Sequence, residues 1–170
     1  MDSLAREIIN KDVRRNKKYD DVVNLLVNGV RDEGNYSDNK KIFNYIKDLI
    51  IFSAMVGKKF ERKEEVNKEN IGITLNTFSG GGGKGSNVDQ HNIIFMFGLL
   101  TYKDMKYMRD DKVDESIKIF EEYSNGGLGL IKEWLIESSW NSLCLLDKIL
   151  DELNKNSSSH IEITDNPFIN

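Results

Sequence analysis

The chain has 170 residues, 24 basic and 28 acidic side chains, a formal charge of −4, a single proline and a single cysteine. That length suits one domain with its own core, and the slight acidity excludes a globally basic nucleic-acid binder. Cys144 has no internal disulfide partner, and its neighbours Leu143, Leu145 and Leu146 make it a core residue in a reducing compartment.

The charge is uneven, +2 over residues 1–70 and −6 over 71–170, which permits a local basic face near the N-terminus. Residues 1–18 contain a short apolar set followed by KDVRRNKK, predicting a charged arm or short helix. From Tyr19 to Asp32, Val22, Val23, Leu26, Val27 and Val30 recur at helical spacing. Gly34 and Asn35 break that helix, and Ser37 or Asp38 can cap the next, expected from about Asn39 to Val56 with Ile42, Phe43, Ile46, Leu49, Ile50, Ala54 and Met55 inward. Gly57 reads as its stop. The following KKFERKEEVNKEN is too charged for a core and predicts a solvated connector.

Ile71, Ile73 and Leu75 alternate with Gly72, Thr74 and Asn76, the period of a half-buried strand. Ile161 and Ile163 alternate likewise, so the expected pairing is a small two-stranded element, about 71–78 with 160–164. Residues 79–86, SGGGGKGS, form a surface loop. Asn87 to Tyr102 contains IIFMFGLL with almost no polar face, predicting a buried helix whose Gly98 admits a close neighbour. In the last third, Ile117 to Tyr123 reads as a helix, Asn125-Gly126-Gly127 as a sharp corner, and Leu128 to Leu135 as the next helix. Leu143, Leu146, Leu150 and Leu153 mark another, and Asn154 to Ser159 a linker. The result is a mainly α, single-domain helical bundle, with a core over 19–154 and a tail over 155–170. The opening residues lack a basic-then-apolar leader and no apolar run reaches the roughly 20 residues of a membrane span, so a soluble cytoplasmic protein is expected.

No catalytic constellation emerges, and neither a metal site nor a cofactor is expected. His91 and His160 lack companions at metal-ligand spacing. Gly81, Gly82, Gly83 and Lys84 could cradle a phosphate, but Lys84 is followed by Gly85 before Ser86, which breaks the Walker spacing. A flexible loop is the simpler reading. Arg14, Arg15, Lys17 and Lys18, with Lys58, Lys59, Arg62 and Lys63, could contact nucleic-acid phosphates, although interleaved acids make a charged surface the simpler reading. Glu121 and Glu122, beside the expected corner, read as a solvated face available to a partner.

Three segments together carry more information: IFNYIKDLIIFSAMVGKK from Ile42, NIIFMFGLLTYKD from Asn92, and IFEEYSNGGLGLIKEWL from Ile119. They resemble the bacterial DNA phosphorothioation-associated protein 4 family, over about residues 19–135. The SGGGGKGS loop and the Ser157–Asn170 tail depart from it. The resemblance implies a non-enzymatic accessory or assembly subunit of an antiphage system that places sulfur in the DNA backbone and restricts unmodified invaders. Its partners would be other proteins of that modification and restriction complex, with DNA reached directly or through them. Two alternatives accompany this expectation: a direct DNA-contacting subunit, and a nucleotide- or phosphate-binding enzyme using the glycine loop.

Overall fold

The computed structural model describes residues 10–31, 35–36, 41–78 and 90–158. Among these, the fold is mainly α with two small antiparallel ladders. Strand β1 (Asp12–Asn16) opens it, followed by a continuous helical run over 17–28, α1, composed of a 3-10 turn (Lys17–Tyr19), an α turn (Asp20–Val23) and a π turn (Asn24–Asn28). Gly29, at φ +70°, ends α1 with a left-handed residue that donates back to the Asn24 carbonyl. The two-residue strands β2 (Val30–Arg31) and β3 (Asn35–Tyr36) pair next. Helix α2 (Ile46–Lys59), strand β4 (Asn70–Thr74), a short helix α3 (Leu75–Phe78), helix α4 (His91–Tyr102), two 3-10 turns (Met105–Met108 and Asp110–Lys112), and helices α5 (Val113–Glu137) and α6 (Cys144–Ser158) complete the order.

The strand at 70–74 takes β1 as its partner, in the register Asp12 opposite Thr74 and Asn16 opposite Asn70. Residues 160–164 lie outside the described residues, as do 79–89. The arm or helix expected over 1–18 is therefore a strand at 12–16. Its charges hid an alternation: Val13 and Arg15 are buried against the body while Asp12 and Arg14 face outward. The linker expected at Asn154 instead continues α6 to Ser158.

The core gathers around α5, whose most extensive packing is with α2 and then α4. Phe120 lies edge-on to both Phe78 and Phe97, with Leu128, Ile131 and Leu135 fully buried along the same helix. Burying such side chains supplies the main stabilisation, at about 1.5–3 kcal/mol each.

No corner interrupts α5: Asn125, Gly126 and Gly127 sit inside one 25-residue helix. Each mid-helix glycine costs about 1 kcal/mol relative to alanine, so tertiary contact must offset it. A Cβ on Gly127 would overlap the Ser53 carbonyl of α2, and a Cβ on Gly57 of α2 would overlap the Tyr123 carbonyl of α5. The two helices thus meet backbone to backbone through a reciprocal pair, pinned by Ser53 Oγ and Ser124 Oγ at 3.1 Å. Gly57 is consequently an interior contact residue of α2, where a stop was expected. Gly126 faces another neighbour, since its Cβ would enter the Arg62 carbonyl of the connector. Glu64 N–H then donates to the Glu122 carbonyl at 2.9 Å, laying the connector along α5. Gly98 plays the expected part on α4, where a Cβ would strike Ser116 of α5.

Candidate functional site

The polar residues converge where β1, the connector and the middle of α5 meet. One edge of β1 pairs with β4; the other has no strand beside it among the described residues. Glu121 accepts from the Arg14 backbone N–H at 2.7 Å, and Asn125 Oδ1 accepts from the Asn16 N–H at 2.7 Å. Asn125 Nδ2 donates to the Glu121 carbonyl at 2.8 Å and to the Arg14 carbonyl at 3.3 Å. Side chains one helical turn apart thereby satisfy the open edge of the strand, which would otherwise leave buried amides unpaired.

Glu121 was expected on a solvated face, yet it is 1 % exposed. Arg14 Nε lies 3.1 Å from its Oε1, joining the strand to the helix across 107 residues of sequence. Burial pushes the Glu121 carboxyl above the ordinary carboxylate range, against the pull of the Arg14 hydrogen bonds. Glu122 keeps some exposure and lies 3.4 Å from Lys63 Nζ. Both line a polar cavity of about 260 Å³ with Arg14, Glu65, Asn67, Asn70 and Lys118.

Glu64 is the second hub. It accepts from Asn16 Nδ2, from Lys18 Nζ at 3.0 Å and from the Tyr19 hydroxyl at 2.6 Å. Desolvation opposes the charge on Glu64, but those donors hold its carboxyl below the ordinary range. The same arrangement pushes the Tyr19 hydroxyl upward, first through burial and then through the adjacent carboxylate. A neighbouring cavity of about 380 Å³ is lined by Lys18, Tyr19, Arg62, Lys63, Glu64 and Lys132 over the glycine floor of Gly126 and Gly129.

Seven of the eight cations considered for nucleic acid are in ion pairs. Arg14 pairs with Glu121, Lys18 with Glu64, Lys58 with Glu61, Lys59 with Glu152, Arg62 with Glu133 and Lys63 with Glu122. Arg15 is itself buried, its Nη1 2.6 Å from Asp20 Oδ1 but outside hydrogen-bond geometry. Lys17 is exposed and has no side-chain partner among the described residues. The structure thus brings Arg14, Lys18, Arg62 and Lys63 to the polar junction, whereas Lys58 and Lys59 end α2. Gly81, Gly82, Gly83 and Lys84 fall outside the described residues. Among the described residues, no group of three His, Cys, Asp or Glu side chains is placed to hold a metal ion, and no helix is long and apolar enough to cross a membrane.

Among the described residues, two apolar faces remain open. The first is on α4, expected to be buried all round: Ile94, Phe95 and Phe97 do enter the core, but Met96 and Leu100, one turn apart, are 47 % and 51 % exposed. Tyr102 at the end of that helix and Met105 and Met108 in the following 3-10 turn (Met105–Met108) are exposed as well, with Tyr102 stacked on Tyr107 at 4.2 Å. Sequence reasoning missed this face because an apolar helix has no polar stripe to point outward; the four-residue spacing of Met96 and Leu100 was the available signal. The second is a groove of about 260 Å³ between α2, the end of α5 and α6, lined by Phe52, Met55, Phe60, Trp134 and Ile149 with Lys59, Lys148 and Glu152 at its rim.

Fold and surfaces together define a small, mainly helical protein whose most buried carboxylate, Glu121, is matched by Arg14 and whose open surface includes apolar faces. The family model described as DNA sulphur modification system-associated protein 4 matches residues 12–167. The chain belongs to that family, which is associated with a DNA sulphur modification system. The match begins at β1 and takes in most of the tail, well beyond the 19–135 span of the resembling segments. No significant match is found among curated proteins or solved structures.

Proposed function

We propose that this protein is a non-enzymatic accessory or assembly subunit of a bacterial phosphorothioation-linked modification and restriction system, docking its protein partners through the exposed face of α4. The observation that carries the reading is the exposed set Met96 and Leu100 on α4, Tyr102 at its end and Met105 and Met108 in the 3-10 turn that follows, left outside the core in a chain of this family. Flexible thioether side chains adapt to a partner surface at low cost, and an exposed set of this kind marks association more often than chance. Glu121 is sealed within the fold, so of the two carboxylates expected at a partner surface only Glu122 is accessible.

Direct DNA contact is the competing reading, and the ion pairs weigh against it. A phosphate would have to displace a carboxylate at seven of eight candidate cations before counterion release could favour binding. Co-purification of the full chain with modification or restriction proteins tests the proposal. Met96→Glu with Met105→Glu is expected to lower recovery at least about tenfold while leaving thermal unfolding unchanged. Undiminished recovery in that variant, or salt-sensitive DNA retention by the protein alone, would overturn it.

A further inference from the structure

The second apolar face points to a different association. Helix α6 has two sides: Cys144 and Leu145 are buried against the body, while Leu146 and Leu150, with Leu143 just before the helix, are 51 %, 55 % and 55 % exposed. Their spacing of three and then four residues is that of a helix–helix seam. Leu153 continues the spacing in sequence. Immediately beside this ridge lies the groove containing Met55 and Phe60, 48 % and 39 % exposed, and Ile149 at 38 %. A ridge adjoining a groove on one surface is self-complementary: a twofold rotation places each ridge in the other copy's groove.

Charge favours the same occupant. Asp147 and Asp151, one turn apart beside the leucines, are exposed and lie within 4.0 Å of no cation among the described residues, although Asp151 attracts Lys155 at longer range. Across the groove, Lys59 and Lys148 reach their own carboxylates only at 3.7 and 3.8 Å. The ridge therefore offers acids outside any close ion pair and the groove rim offers loosely held lysines. The six exposed apolar residues present roughly 600 Å² at about 200 Å² per full side chain, near the upper size of a monomer's largest apolar patch and short of one side of a standard interface only by its polar rim.

We infer that this protein self-associates as a twofold dimer through α6, each copy's Leu143, Leu146 and Leu150 entering the groove between α2 and α6 of the other, with Asp147 and Asp151 meeting Lys59 and Lys148. The α4 face stays open in this arrangement, so the inference stands apart from the partner-docking proposal. Sedimentation equilibrium of the full chain tests it. The expected species has twice the chain mass of 19.6 kDa at micromolar concentration. Leu146→Glu with Leu150→Glu should raise the dissociation constant at least about a hundredfold without lowering the thermal midpoint. Asp147→Lys with Asp151→Lys should raise it about tenfold, and adding Lys59→Glu with Lys148→Glu in the same chain should restore it. A wild-type monomer up to about 100 μM would overturn the inference and give the face to another protein; so would a dimer insensitive to the leucine pair, or a charge reversal that the lysine changes do not rescue.

Discussion

The α2–α5 crossing and the α6 face are built from opposite materials, and the contrast explains what each is for. At the crossing, small residues let two backbones touch, and almost every polar atom nearby is used internally: Ser53 with Ser124, Asn125 with Asn16, Glu121 with Arg14. At α6, large leucines project outward, and Asp147 and Asp151 form no close ion pair among the described residues. The first region is sealed and intolerant of added atoms. The second is incomplete and should tolerate change in the isolated chain.

Adding one methyl group to the sealed region is expected to have the largest effect on stability. Gly127→Ala should destabilise by about 3 kcal/mol, because overpacking against the Ser53 carbonyl exceeds the roughly 1 kcal/mol gained in helix propensity. Gly129→Ala, two residues along the same helix, is the control: among the described residues its Cβ would meet the Tyr19 hydroxyl and the ring carbon bearing it, the far end of a side chain. Denaturant unfolding should show it within about 1 kcal/mol of wild type, and equal losses in the two variants would break the contrast.

A smaller loss is expected from Asn125→Ala, which strips the acceptor from the fully buried Asn16 amide. About 2 kcal/mol is the cost of such an orphaned donor. Fast hydrogen exchange at Asn16, measured without global unfolding, would show that the open edge of β1 has been released.

The smallest effects concern pH, where the two carboxylate hubs act with opposite sign. Glu64 is held below its unfolded value, so its contribution is present above the unfolded carboxylate range and lost as pH falls through the folded value. Glu121 is raised, so the folded state binds the proton more tightly and stability is gained as pH falls from the raised value toward the unfolded one. Unfolding measured across pH 3–7 should show Glu121→Gln losing the gain on the way down to about pH 4.5 and Glu64→Gln losing the fall below it. Identical profiles for both variants would remove the distinction.

The helical character, the family and the role of Gly98 were legible in the sequence because each is written locally, in periodicity or in contiguous residues. The middle of α5 was misread for a physical reason: Asn-Gly-Gly is the signal that ends a helix, and here it serves instead to clear space for α2 on one side and the connector on the other. Strand β1 was hidden because the charges of KDVRRNKK look solvated until Glu121 and Asp20 are seen to take Arg14 and Arg15. The acidic face expected at Glu121 failed for the same cause, since its partner lies 107 residues away. Glu64 stood in a charged run with nothing to mark it as the carboxylate that would gather Lys18, Tyr19 and Asn16.

The side-chain repair of β1 by α5 also limits the length of the strand. Four residues of helix advance about 6.0 Å while two residues of strand advance about 6.8 Å, so the two rulers agree for one repeat and drift by about 1.6 Å over two. Glu121 and Asn125 fall within the match, at Arg14 and Asn16. The next position on α5 is Gly129, which has no side chain to offer, and the chain has already turned into α1 at Lys17. Lys132 instead stretches to the Lys18 carbonyl at 3.1 Å. A longer strand at this place would outrun its helix, so β1 stops where the two spacings part.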